Sequence, residues 1–312
     1  MTHGRAVVMM LACTLMWSIA GVVTRQLESA RSFEVTFWRS AFTVLSLVIL
    51  LGAMRGPAPL VKTIREGGKS LWTSGVCWAV MFTAFMIAVT LTTVANVLVT
   101  LALGPLFTAL VSRFVLGHRL ATRTWGAIAV AGLGIAWMYG REVSGAESRH
   151  LLGVLIALCV PVAAAVNWTL MQHLHHHDNH HRDHHDDQRA AGAPDMLPAV
   201  LIGAMLSSLV TLPLALPFAS SGPDLLWLAL LGLVQLAIPC LMAVAASRVL
   251  SAPEVSLLAL LEVIFGVAWA WWGGGETPSS SVLVGGLMVL GALATNEWLG
   301  MRQRASTSGG LG

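Results

Sequence analysis

The chain has 312 residues, of which 56% are hydrophobic and only 11% charged, with a formal net charge of +3. A soluble domain carries roughly 25% charged residues, so too few polar side chains are present here to clothe a water-facing surface. The mean hydropathy is +0.76, and the apolar residues fall in blocks of about 20 without period-two alternation, which excludes a membrane β-barrel and leaves an all-α integral membrane protein.

Ten spans are expected in chain order, near residues 6–24, 35–53, 70–90, 95–114, 122–140, 151–171, 196–218, 224–246, 253–272 and 281–300. Arg5 followed by an apolar run from Ala6 resembles a signal peptide, but nine further apolar blocks follow, and an uncleaved first span is the simpler reading. Gly56, Pro57 and Pro59 end the second span. Only Thr90 to Thr93 join the third to the fourth, which forces an antiparallel helix hairpin. Ser220 to Pro223 part the seventh from the eighth, and Thr277, Pro278 and the serines after them part the last two. With the N-terminus inside, thirteen Lys and Arg side chains fall on the cytoplasmic side, four fall outside, and Arg39 lies within a span. This asymmetry puts both termini in the cytoplasm of a multi-pass protein, expected in the bacterial inner membrane. Cys13, Cys77, Cys159 and Cys240 sit singly in four different apolar blocks, as small core residues do, and show neither disulfide nor zinc spacing.

The halves resemble each other. NVLVTLALGPLFTALVSRFVLGHRL, from Asn96, aligns without gaps on EVSLLALLEVIFGVAWAWWGGGETP, from Glu254, pairing Asn96 with Glu254, Gly104 with Glu262 and His118 with Glu276. The expected organisation is a first repeat at 1–143, a second at 144–302 with a His-rich cytoplasmic loop at 172–195, and a C-terminal tail at 303–312. Five spans per repeat is an odd number, so the halves must insert with opposite topology, and inverted repeats with a site at their interface mark secondary transporters.

An ionisable side chain within hydrocarbon costs at least about 2.5–3.5 kcal/mol, so each asks for a reason. Arg39 in the second span and Glu262 near the middle of the ninth read as counter-ion for a substrate carboxylate and as proton acceptor or amine anchor. The alternative is a structural Arg–Glu pair, or Arg39 snorkelling to the interface. Asn96 and Glu254 hold equivalent places near opposite faces. Glu254 also follows Pro253 at a helix start, where a carboxylate suits the helix dipole. Asn167 and Gln235 lie inside spans and either bond a substrate or a neighbouring helix. There are twelve tryptophans and one tyrosine. Trp72, Trp125, Trp227 and Trp298 sit at span ends as interface anchors, whereas Trp17, Trp78, Trp168 and Trp269 lie deeper, where they either pack or wall a cavity for an apolar or aromatic substrate. Small-residue faces at Gly126–Gly134 and Gly285–Gly291 suit close packing in spans five and ten, or a dimer contact.

The stretch 172–189, QHLHHHDNHHRDHHDDQR, holds eight histidines and four aspartates. His173, His175, His176, His177, His180, His181, His184 and His185 suit zinc, nickel or cobalt. If the sixth helix runs on into the loop, His173 with His177 and His177 with His181 share a face. The stretch also changes sign on protonation, and a solvated biased tract has the same composition. No span continues a His/Asp path through the membrane.

Taken together, LMWSIAGVVTR in the first span, FWRSAF in the second, LGPLFTALVSRFVLGHRL in the fourth and LLEVIF…GGGET in the ninth resemble the EamA-type members of the drug/metabolite transporter superfamily over nearly the whole chain. Two positions depart from the motif: His118 follows Gly117 where glutamate is usual, and Val263 follows Glu262 where proline is usual. The resemblance implies ten helices in two inverted five-helix repeats, and alternating-access export of small organic metabolites such as amino acids, coupled to protons. A divalent-metal exporter drawing on the His-rich loop is the alternative. No enzyme active site, cofactor or nucleic-acid partner is expected. The expected partners are the small-molecule substrate, the lipid bilayer, a divalent metal at the loop, and either no second copy or one.

Overall fold

A computed structural model describes residues 1–30, 32–116, 122–140, 148–182, 195–273 and 279–308. The described residues are almost entirely helical, in the order α1 His3–Ser18, α2 Ala20–Thr24, α3 Ser32–Arg55, α4 Pro57–Glu66, α5 Lys69–Leu91, α6 Val94–Leu101, α7 Gly104–Leu116, α8 Thr122–Gly140, α9 Ser148–Arg182, α10 Leu197–Ala215, α11 Gly222–Leu230, a π-helical segment Leu231–Ala237, α12 Ile238–Ala246, α13 Ala252–Gly273 and α14 Ser280–Ser308. Among them, eight helices or continuous helix runs are long and apolar enough to cross a membrane. The expected fifth and tenth spans are helical as α8 and α14. The junction between the expected repeats lies outside the described residues.

Helix packing pairs the expected spans of the two halves. Second packs on seventh (α3 with α10), fifth on tenth (α8 with α14), and fourth on ninth (α6 and α7 with α13). The remaining principal contacts come in matched pairs. Third against sixth (α5 with α9) mirrors eighth against first, third against seventh (α5 with α10) mirrors eighth against second, and first against ninth (α1 with α13) mirrors sixth against fourth. Each of these contacts survives exchange of a span with the one five places on, the pattern that a twofold axis between inverted halves would give.

With lipid as solvent, close packing and polar contacts rather than apolar burial hold such helices together. Ser40 and Ser207 hydroxyls lie 2.9 Å apart, and Thr83 Oγ1 donates to Ser207 Oγ at 2.8 Å, tying α3, α10 and α5. Thr43 Oγ1 donates to the Gly232 carbonyl at 3.2 Å. A Cβ on Gly232 would stand 2.7 Å from Phe42 Cβ, 2.9 Å from the Thr43 amide nitrogen and 3.0 Å from the Arg39 carbonyl oxygen. The α3 backbone therefore rests directly on the π segment. Helices α8 and α14 pack on each other within the chain, closely at Gly134, which faces the Gly285 carbonyl.

Because two of those atoms are backbone, Gly232→Ala is expected to destabilise the protein by about 1–3 kcal/mol, the usual range for overpacking. Thermal unfolding of the purified protein measures this as a lowered midpoint.

Candidate functional site

Helix irregularities gather around one region. The first span breaks at Ile19, between α1 and α2. The fourth breaks between Leu101 and Gly104, ahead of Pro105, which has no amide to give a preceding turn. The equivalent position in the second half is Val263, and α13 runs through it unbroken. The sixth carries Pro161 inside its helix. In the eighth, Pro239 cannot donate to the carbonyl of Gln235 four residues earlier, and Gln235 lies in the π-helical segment. Such bulges and breaks cluster at binding sites because they turn side chains and carbonyls off the regular helical face.

These discontinuities surround a cavity of about 130 Å³, lined by Trp17, Arg39, Trp78, Met81, Phe82, Phe85, Leu101, Gly104, Val160, Pro161, Ala164, Trp168, Gln235, Leu236, Cys240, Ser256, Ala259, Leu260, Glu262 and Val263. Its wall is apolar and aromatic. Trp168 meets Trp78 edge-on with centroids 5.7 Å apart, and Phe82 lies 5.4 Å from Trp78.

Arg39 is 1% exposed. Its Nη2 donates to the Phe82 carbonyl at 2.7 Å and its Nη1 to Gln235 Oε1 at 3.2 Å. Gln235 Nε2 in turn donates to the Trp17 carbonyl at 3.4 Å, just before the break in the first span. The guanidinium carbon stands 6.0 Å from the Phe85 ring centre, within cation–π range. All these partners are neutral. Arg39 Nε has no acceptor, and the guanidinium has no carboxylate within ion-pair distance among the described residues. Glu262 reaches the same cavity from α13, half-buried, and makes no hydrogen bond or ion pair among the described residues. One fixed cation and one carboxyl group thus face a tryptophan-walled space.

Of the side chains singled out from sequence, Trp17, Arg39, Trp78, Trp168, Gln235 and Glu262 line this cavity, and Asn96, Asn167, Glu254 and Trp269 do not. Asn167 is buried between helices, where Ser74 Oγ donates to its Oδ1 at 2.6 Å. Asn96 and Glu254 hold the same place in two helix starts, three residues beyond Thr93 and Ser251. Thr93 Oγ1 accepts from the Asn96 amide at 3.2 Å, and Glu254 Oε2 accepts from the Ser251 amide at 2.8 Å. Asn96 Nδ2 also donates to Thr92 Oγ1, and Glu254 Oε1 lies 3.2 Å from His3 Nε2. Trp269 is 37% exposed on the bundle's outside. Helix α9 does run on to Arg182, so the histidine stretch begins as helix. His184, His185 and the side chains of His175, His176, His177, His180 and His181 lie outside the described residues. Among the described residues no three His, Cys, Asp or Glu side chains assemble as a metal site.

Sequence reasoning missed Phe82, Phe85 and Cys240. The two phenylalanines share the helical stripe of Trp78 on α5, one and two turns on, and that spacing was a usable signal. Nothing in the sequence distinguishes Cys240 from the other core cysteines. Two further buried acids, Glu34 and Asp224, were also missed. Glu34 accepts from the Ala219 and Ser220 amides and from Ser220 Oγ, and Asp224 accepts from the Glu28, Ser29 and Ser221 amides. Both tie off loop backbone rather than face the cavity.

A sequence model of the EamA-like transporter family matches residues 4–140 and 188–296. A crystal structure described only as that of a protein superimposes with a TM-score of 0.61 at 18% sequence identity, covering 97% of this chain and 99% of that one. At that identity the likeness shows the fold alone. No curated protein matches the chain.

Ser74→Ala is expected to leave Asn167 Oδ1 without its donor and to cost about 1–3 kcal/mol, the penalty for a stranded buried acceptor. The thermal midpoint should fall while the apparent KM for transport stays within twofold of wild type, because neither residue lines the cavity.

Proposed function

The chain belongs to the EamA-like transporter family, and we propose that it exports small organic metabolites bearing both a carboxylate and an amine, amino acids foremost, across the bacterial inner membrane in exchange for protons. Membership makes it a multi-pass membrane transporter of the drug/metabolite type. The observation that supports the finer reading is that Arg39 and Glu262 line one cavity and neither has an ion-pair partner among the described residues. A zwitterion supplies both missing partners. Its carboxylate joins the guanidinium already oriented by Phe82 and Gln235, and its ammonium joins Glu262. Trp17, Trp78 and Trp168 offer flat apolar walls to the side chain.

Coupling follows from competition. The substrate ammonium and a proton bid for the same Glu262 carboxylate, so a proton arriving from outside displaces the amine there, and the protonated carboxyl returns empty. Access alternates as the repeats at 1–143 and 144–302 rock about the cavity, with both termini in the cytoplasm, as the distribution of Lys and Arg favours. The His-rich loop takes no part in this path.

Efflux of labelled amino acids from cells overexpressing the chain tests the reading. Arg39→Ala is expected to lower transport of a carboxylate substrate at least tenfold, since a charge-assisted pair contributes about 1.5–3 kcal/mol. Unchanged transport removes Arg39 from the site. Glu262→Gln is expected to make transport independent of the pH gradient, and proton-linked transport that persists in this variant ends the coupling role. Deleting residues 173–185 should leave amino-acid efflux intact. Zinc, nickel or cobalt efflux that the deletion abolishes would replace this reading with metal export.

A further inference from the structure

We propose that α4 and the first turn of α5 form a binding site for one anionic phospholipid, at the membrane face where the second span ends and the third begins. Gly56 has φ +81 and ψ 155, a region open essentially only to glycine. Pro57 then stands in the first turn of α4, where its missing amide is no loss. The chain therefore leaves α3 abruptly and restarts as a separate helix. With ten residues at about 1.5 Å rise each, α4 covers about half of the 30 Å of hydrocarbon and cannot cross it.

The helix is amphipathic in the manner of interfacial helices. Leu60 is buried and Ile64 half-buried against the bundle, which α4 touches through α3 and α10. Val61 is 61% exposed, and Trp72 on the first turn of α5 is 46% exposed. Val61, Ile64, Arg65 and Trp72 together wall an open groove. Three of its four walls are apolar, and the fourth is a cation.

The rim is basic. Lys62, Arg65 and Lys69 are exposed and form no ion pair among the described residues, with Glu66 the only acid between them. Arg55, just before the turn, is already taken by Asp195. Three unneutralised cations beside an apolar groove at an interface match a lipid that carries negative charge on its head and hydrocarbon below it. The head-group phosphate lies against Arg65 between Lys62 and Lys69, with an acyl chain along Val61 and Ile64 and the Trp72 ring at head-group depth. A soluble phosphate compound or an acidic peptide would satisfy the cations and leave the apolar walls bare.

The full-length protein in a neutral detergent, examined by native mass spectrometry with phosphatidylglycerol or phosphatidylcholine of equal chain length, tests this. Phosphatidylglycerol should be retained more tightly, with one molecule outlasting the rest. Each of Lys62→Gln, Arg65→Gln and Lys69→Gln should weaken it about fivefold, and the triple variant about a hundredfold, with phosphatidylcholine retention unchanged. Val61→Asn should weaken both lipids. Equal retention of the two lipids by wild type, unchanged phosphatidylglycerol retention by the triple variant, or displacement by glycerol phosphate at equal concentration would each overturn the proposal. The conserved thermal midpoint of Arg65→Gln in phosphatidylcholine serves to show that the fold survives.

Discussion

The guanidinium of Arg39 is 1% exposed inside a bundle whose solvent is lipid, and its hydrogen bonds go to a backbone carbonyl and an amide rather than to a carboxylate. Placing such a charge in a span costs about 2.5–3.5 kcal/mol on insertion scales. Hydrogen bonds to a charged group return about 1.5–3 kcal/mol each, so the contacts to Phe82 and Gln235 are enough to keep it there. They hold the charge without neutralising it. The guanidinium thus lines the cavity without a carboxylate partner among the described residues, the arrangement on which the proposed counter-ion role rests.

The contacts that hold Arg39 draw on irregular neighbouring helices. Gln235 bonds both Arg39 and the Trp17 carbonyl, which joins the eighth span to the second and the first at one level. That reach depends on the π-helical turn ahead of Pro239 and on the break after Trp17. It depends equally on Gly232, which lets the eighth span lie directly on the backbone of Arg39 and Thr43. The halves differ where it matters most for chemistry: the fourth span breaks at Gly104–Pro105, while the ninth continues straight through Glu262 and Val263. A symmetric packing scheme thus holds an asymmetric pair of groups, a cation from the first half and a carboxyl from the second.

Much of this was legible in the chain. Hydropathy locates spans because lipid tolerates only helices with internally satisfied backbones. It also gives the depth of each polar residue, which is why Arg39, Glu262 and Gln235 stood out. It does not give azimuth. Asn167 and Trp168 are adjacent at the same depth, yet Trp168 faces the cavity and Asn167 is held by Ser74. Asn96 and Glu254 drew notice as intramembrane polar groups, and their positions three residues past Thr93 and Ser251 tie them into helix caps. Helix α4 was hidden because Gly56, Pro57 and Pro59 read as loop, whereas Gly56 turns the chain and Pro57 opens a new helix. Nor does hydropathy give pairing: α8 and α14 pack chiefly on each other.

In the proposed function one bound molecule answers Arg39 and Glu262 together. Calorimetric titration of the purified chain with an amino acid, its deaminated acid and its decarboxylated amine separates two-group from one-group recognition. Each analogue, lacking one of the two groups, is expected to bind at least tenfold more weakly than the amino acid. Equal binding of the amino acid and either analogue would contradict it, because one of the two unpaired groups in the cavity would then have no part in holding the substrate.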